Sequence, residues 1–359
     1  MPELGELAVS HVRRLARQPR HTCTPEAADA RQYCVYTLRS LGYRVEECPF
    51  DYSAAVGAYG TPAGGLAVLL VIAAGWVSAL GGKRVLALVI LLAGIVFIAV
   101  GGRWLARHGI LALPLMRRRG VNLEARRDQE DPSVWLVAHL DSKSQPVSLV
   151  VRATGIIVLL TSWIAAVVAA WSGRSASTWS VIMVAAFIGA LPVLLSVVGK
   201  ASPGAVDNAS GVATVLAATA ALPPDVPVGV LITDAEEFGL AGARAWCAGR
   251  APAIALNCDG VDDTGRLTVM WTRPRPRWIQ EAFSATKGLR VIPLLPGVLA
   301  DSLAFSDAGW EAVTLSRGTL RTLRRIHTRR DSLETLRGSG IAGAALALAS
   351  AAVILTEHG

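Results

Sequence analysis

The chain alternates between segments patterned like globular structure and segments with no polar face at all. From residue 1 to about 42, Leu7, Val9, Val12 and Leu15, then Ala27, Ala30, Cys34, Leu38 and Leu41, recur at helical spacing and predict two helices. Thr24 is placed to cap the second, with Pro25 in its first turn and Gly42 as its stop. Residues 43–50 alternate as a strand does. At Gly64 the alternation is lost. Residues 64–82 and 85–102 are apolar and uncharged, separated only by Lys83 and Arg84. Each run is about eighteen residues, near the ~20 that cross a bilayer core, and Trp104 stands where an interfacial aromatic would. A basic stretch, 103–127, leads back to strand patterns at 121–125 and 134–138, the second running into His139-Leu140-Asp141-Ser142. A second uncharged pair follows, 153–172 and 179–199, with Arg174 alone in its link and Trp171 and Trp179 beside it.

From Pro203 onward the pattern is that of an α/β domain. A helix is predicted over 207–222, and strands over 228–233, 253–258, 267–271, 289–294 and 312–315, with helical stretches between most of them. Such alternation predicts a mixed, largely parallel sheet with helices on both faces. Residues 341–355, Ala-rich and short for a span, read as a terminal helix packed on that sheet.

The apolar hairpins interrupt the globular pattern. The expected organisation is a first globular piece over 1–63, a transmembrane hairpin over 64–102, a second globular piece over 103–152, a second hairpin over 153–199, and the remainder over 200–359. An even number of spans returns the chain to the same side, so the globular pieces can build one domain. Arg103, Arg107, Arg117, Arg118, Arg119, Arg126 and Arg127 flank the second span on that side, against only Lys83, Arg84 and Arg174 on the other. This bias predicts an integral membrane protein with four transmembrane helices and a cytoplasmic domain. Composition agrees with a mixture: 52% hydrophobic and 17% charged, with mean hydropathy +0.45, is too apolar for an ordinary soluble enzyme. Five scattered cysteines form no CxxC pair and fit a reducing compartment. The first fifty residues carry no apolar signal-peptide core, so no cleavable leader is expected.

The chemistry gathers at the ends of the predicted strands. His139 ends one strand, Asp207 begins a helix, Glu236-Glu237 follows a strand, Asp259 ends another, and His327 lies in a loop. Open α/β sheets place their ligand sites at such positions. Two imidazoles and three carboxylates suit a pair of borderline cations such as zinc, with one carboxylate bridging, and leave a second glutamate for proton transfer. Each residue also has an ordinary explanation. Asp207-Asn208 can be a helix cap, Glu236-Glu237 solvated surface, Asp259-Gly260 a turn, and His327 an exposed loop histidine.

Taken together, Ala138-His139-Leu140-Asp141-Ser142, Asp207-Asn208-Ala209-Ser210-Gly211, Glu236-Glu237-Phe238-Gly239-Leu240, Asn257-Cys258-Asp259-Gly260, 301–309, and His327-Thr328 with Asp331 resemble the M28 family of co-catalytic zinc aminopeptidases. The resemblance covers the globular part and leaves out both hairpins. It implies two zinc ions, one held by His139 and Asp259, the other by Glu237 and His327, with Asp207 bridging. It also implies that Asp141 orients His139, and that Glu236 is the general base, taking a proton from the attacking water and passing it to the leaving amine. The implied activity is peptide-bond hydrolysis, most simply release of an N-terminal residue from a peptide or amino-acid derivative. Two alternatives stay open: a single-zinc acyl transferase of the glutaminyl cyclase type, and an inactive membrane binding or scaffold protein on the same fold.

Two positions depart from the family. Some members have Tyr before the last histidine, where Ile326 stands here, and the family's Ser-Asp-His reads Ala300-Asp301-Ser302. Around His327, Arg317, Arg321, Arg324, Arg325, Arg329 and Arg330 crowd into a short loop. The expected partners are the bilayer and, through residues 317–330, anionic lipid headgroups or an acidic substrate. Nucleic acid is not expected, because no aromatic interleaving or nucleic-acid motif accompanies the charge. With Gly199 as the end of a span, the eight residues to Asp207 allow at most roughly 30 Å of extended chain, so the site is expected near the membrane.

Overall fold

A computed structural model describes residues 2–127, 131–295 and 297–357. The helical and strand periodicities emerge as α1 (Pro2–Leu15), α2 (Pro25–Ser40) and β1 (Arg44–Ser53). Thr24 caps α2 through a hydrogen bond from the Ala27 N–H, satisfying one of the helix's orphan donors. The first apolar pair forms α3 (Ala54–Leu80) and α4 (Arg84–Trp104), the latter continuing through one wide turn into α5 (Ile110–Ala112). Then come β2 (Arg117–Arg126) and β3 (Val134–His139). The second apolar pair forms α6 (Leu149–Ser172) and α7 (Ala176–Leu194). The remainder runs α8 (Gly211–Ala221), β4 (Val228–Thr233), α9 (Ala241–Cys247), β5 (Ile254–Val261), β6 (Arg266–Trp271), α10 (Ile279–Ala282), β7 (Arg290–Pro293), α11 (Asp301–Asp307), β8 (Glu311–Gly318), α12 (Leu320–Arg325) and α13 (Ser339–Glu357).

The chain divides into two compact units. One comprises residues 1–52, 117–144 and 200–359; the other comprises 53–116 and 145–199. The first contains a single eight-stranded sheet in the order β1-β2-β4-β3-β5-β8-β6-β7. Strands β3, β4, β5 and β8 are parallel to their neighbours within that set, whereas β2 runs antiparallel to β4 and β6 to β8. This is the expected mixed, largely parallel α/β sheet. Alternate residues of β3 serve opposite faces. Val134, Leu136 and Ala138 join a core with α1, α2, α8 and α13. Trp135 and Val137 join an aromatic layer with Trp246, Phe305 and Trp310. A strand covered on both faces reads as the unbroken apolar run seen in the sequence.

The second unit packs α3, α4, α6 and α7. Small residues allow close approach: a Cβ on Gly65 would strike Val193, and one on Gly94 would strike Val71. The Trp163 indole N–H donates to the Leu91 carbonyl across two of these helices. The outward side chains are apolar, with Phe97 80%, Val181 70% and Val77 68% exposed.

Among the described residues, five helices, these four and α13, are long and apolar enough to cross a membrane. They are not equivalent. Of the most apolar window of α13, 61% is buried within the protein, against 11–33% in the other four. Ala344, Ala345, Leu348 and Ala351 of α13 are buried in the same core as residues of α1 and α8. The fourth apolar helix ends at Leu194, not at Gly199, so thirteen residues rather than eight lead to Asp207. The chain from its end can therefore reach roughly 45 Å rather than 30 Å.

Candidate metal centre

The carboxyl ends of β3, β4, β5 and β8 meet along one edge of the sheet because these four strands are adjacent and parallel. His139 is the last residue of β3, level with Thr233 at the end of β4. Beyond Thr233, Ala235 takes φ +57° and turns the chain into the single turn Glu236–Phe238. Asp259 lies in the last part of β5. His327 follows α12 with φ +61°. Positive φ at non-glycine residues is costly and tends to persist where function demands it.

Asp207 is held by its surroundings. The Asp331 carboxylate accepts the N–H groups of Val206 at 2.9 Å and Asp207 at 3.0 Å. Asn208 accepts from Gly211 N at 3.0 Å and Gly260 N at 3.1 Å, and donates to the Cys258 carbonyl at 2.9 Å. Asn208 thus caps α8 and also ties it to β5, beside Asp259. The Asp207–Asn208 peptide is cis. Gly204, at φ +61°, packs so closely on Ser142 that a Cβ there would collide with it.

His139 Nε2 lies 3.2 Å from Asp207 Oδ1, 3.6 Å from Asp259 Oδ1 and 3.9 Å from Glu236 Oε2. His327 Nε2 lies 2.8 Å from Asp207 Oδ2 and 3.5 Å from Glu237 Oε1. Asp207 therefore offers one oxygen to each imidazole. Two sets of donor atoms result, His139–Glu236–Asp259 and Asp207–Glu237–His327, each gathered within 4.8 Å. His139 Nδ1 is 3.1 Å from the Asp141 main-chain oxygen and 3.6 Å from its carboxylate. The carboxylate accepts the N–H groups of Glu236 at 3.0 Å and Glu237 at 3.2 Å. Asp141 thus orients the imidazole and also fixes the turn carrying both glutamates.

Two residues near the site carry no role in the sequence reading. Lys143 forms an ion pair with Glu237 Oε2; its signal was a lone cation four residues after His139. Arg20 is fully buried and donates to the carbonyls of Leu140, Leu15, Pro203 and Gly204 at 2.6–2.9 Å. It bolts the loop after His139 to the loop before Asp207. Ile326, at the tyrosine position of some relatives, packs its side chain against the main core. Asp301 accepts from the Thr233 hydroxyl, while its other oxygen is buried without a hydrogen bond. Burial pushes Asp301 up to about 7.

The electrostatics are those of a buried anionic cluster. Burial works against the charge on His139 and His327, yet the carboxylates around them, Glu236 foremost for His139 and Glu237 for His327, hold both above the ordinary imidazole range. Burial would raise Asp207, but hydrogen bonds from the two imidazoles hold it well below the usual carboxylate range. Burial is likewise outweighed at Glu237, which Lys143 and His327 hold at about 2. Glu236 is raised well above the carboxylate range by burial, with Glu237 and Asp259 adding to it and His139 opposing. Buried atoms Glu237 Oε1 and His327 Nδ1 have no hydrogen-bond partner. An excess of buried carboxylate with unpartnered oxygen and imidazole nitrogen donors fits divalent cations of the zinc type.

The chain matches the family model described as Peptidase family M28 over residues 166–352, a stretch that includes Asp207, Glu236, Glu237, Asp259 and His327. No curated protein sequence matches it. Among solved structures, it resembles an aminopeptidase from Aneurinibacillus sp. strain AM-1, at TM-score 0.57 and 14% identity over 97% of this chain and 92% of that one. BSAP, a zinc aminopeptidase from Bacillus subtilis, aligns at TM-score 0.56 and 14% identity over 97% and 94%. A glutaminyl cyclase from Fimbriiglobus ruber aligns at TM-score 0.52 and 14% identity over 98% and 95%. These similarities establish the α/β fold, and the family match spans more than half of the sequence: the chain belongs to peptidase family M28.

Proposed function

We propose that this chain is a membrane-integrated, zinc-dependent aminopeptidase whose α/β unit binds two zinc ions. The observation that carries the reading is the arrangement of Asp207, with one carboxylate oxygen directed to each of two imidazoles. His139 and Asp259 would hold one ion, Glu237 and His327 the other, and Asp207 both. Zinc, when bound, supplies a Lewis acid for the scissile carbonyl and lowers the pKa of water. Glu236 is the proton carrier: its carboxylate lies 3.9 Å from His139 Nε2, and burial holds it well above the usual carboxylate range. Asp141 keeps Glu236 in register by accepting its N–H. Ile326 offers no donor to an oxyanion, so that charge falls to other groups of the site.

The apolar, outward-facing surfaces of α3, α4, α6 and α7 support four membrane spans. The charge bias of the flanking segments supports a cytoplasmic catalytic unit. Arg321, Arg324, Arg329 and Arg330 are exposed and are proposed to meet anionic lipid. Exchanging them for Gln should lower the number of anionic lipids retained by the detergent-solubilised chain in native mass spectrometry; an unchanged number refutes that contact.

A second reading, glutaminyl cyclisation, is favoured by the cyclases among the structural neighbours. Incubation with aminoacyl amides and with peptides bearing N-terminal Gln separates the two. Free amino acid marks a peptidase, and loss of ammonia without peptide cleavage marks a cyclase. Neither product, from zinc-loaded protein, would leave the inactive scaffold.

A further inference from the structure

The two donor sets differ in one feature. The set at His327 already contains a cation. Lys143 reaches Glu237 Oε2 from the loop after β3, with only 14% of its side chain exposed. The other Glu237 oxygen faces His327 and has no hydrogen bond. Among the described residues, no lysine or arginine forms an ion pair with His139, Asp259 or Glu236. Resting on the dizinc reading above, we infer that Lys143 is a built-in competitor for the second metal ion, which makes the two sites unequal.

The physical reason is charge. A zinc ion entering beside Glu237 must share a carboxylate that already carries a charge-assisted hydrogen bond. It must also approach a buried ammonium, and like charges repel strongly where water is excluded. The His139–Asp259 side lacks the first obstacle, and Lys143 acts there only at longer range, through Glu236 and Asp207, with no ion pair. The first ion therefore binds tightly and the second at least tenfold more weakly, so occupancy of the second site, and activity with it, follows free zinc over a range where the first site is full. Lys143 acts here on metal affinity, with no contact to substrate required.

The test is a zinc titration of the metal-stripped full-length chain in detergent, against a chromophoric chelator, for the wild type, Lys143→Met and Lys143→Arg. His327→Ala identifies which binding event belongs to the second site. The wild type should bind two zinc ions with constants at least tenfold apart. Lys143→Met should tighten the second event at least tenfold and change the first less than threefold, whereas Lys143→Arg, which keeps the charge, should leave the second weak. A residue needed only for packing would weaken binding in both variants. Lys143→Gln serves if the Met variant fails to fold. Equal wild-type sites, or a folded Met or Gln variant whose second site is unchanged or weaker, overturns the inference while leaving the dizinc reading intact. A wild type that binds no zinc tightly overturns the reading itself.

Discussion

Replacing Arg20 with Met removes a clamp that no metal-ligand motif contains. Its guanidinium satisfies four carbonyls, those of Leu15, Leu140, Pro203 and Gly204. Its main-chain N–H and C=O both bond to Ser142. Methionine has similar length but no donor, so the carbonyls of Leu15, Leu140 and Pro203 lose their partner, at about 1–3 kcal/mol each if none relaxes, while that of Gly204 keeps the Ala209 N–H. Part of this is offset, because burying the guanidinium is itself unfavourable. Burial lowers its pKa to about 10 even though Asp331, Asp141 and Asp207 work to raise it. The balance is a loss of about 3–5 kcal/mol, the usual result of removing one side of a buried charged network. For a unit of this size each kcal/mol lowers the melting temperature by about 2–4 °C, so a fall of roughly 6–20 °C is expected. The assay is thermal unfolding of the full-length chain in detergent, followed by tryptophan fluorescence, with zinc affinity measured on the same samples. Both ligand loops lose their tie, so zinc affinity should fall as well. A variant that melts within about 2 °C of the wild type and keeps its zinc affinity would show that Arg20 does not hold the site together.

Other consequences follow from the same contacts. Asp141→Ala frees the N–H groups of Glu236 and Glu237 and one support of His139, and should lower kcat about 10–100-fold with the fold retained; circular dichroism with steady-state kinetics checks this. His11 is buried against the Tyr33 hydroxyl at 2.6 Å, and burial lowers its pKa to about 4. Between pH 6.5 and 4 the unfolded chain takes up a proton that the folded chain refuses, so folded stability falls as pH falls, by about 2–3 kcal/mol at pH 4.5. His11→Gln should remove that part of the acid sensitivity, read as the difference between the two melting curves at pH 7 and 4.5.

Much of this protein was legible because its signals are local. Unbroken apolar runs marked the four long helices of the second unit, and every predicted strand has a counterpart in β1 to β8 within a few residues. His139, Glu236, Glu237 and Asp259 could be nominated because each ends or follows a predicted strand, and parallel strands bring such ends to one edge; Asp207 at a helix start and His327 in a loop completed the set through the motif. Less legible were features that depend on residues distant in sequence. Arg20 bonds to Pro203 and Gly204, and no periodicity reports a contact of that span. The sequence ties Asp141 to His139 alone, because nothing in it shows the Asp141 carboxylate reaching the Glu236 and Glu237 N–H groups. The helix predicted over 207–222 begins regularly only at Gly211, since Asp331 and Asn208 hold 205–210 in an irregular path. Helix ends also misled: the apolar run to Gly199 outlasts α7, which stops at Leu194.

The central claim is a site that holds two metals and uses Glu236 to move protons, and one experiment meets it directly. Metal content and hydrolysis of a panel of aminoacyl amides are measured together on purified wild type and Glu236→Ala. Two zinc ions per chain are expected in both proteins, with hydrolysis in the wild type and a loss of at least about 10²–10⁴-fold in the variant. Full activity in Glu236→Ala, or a wild type that is active without zinc, would contradict it.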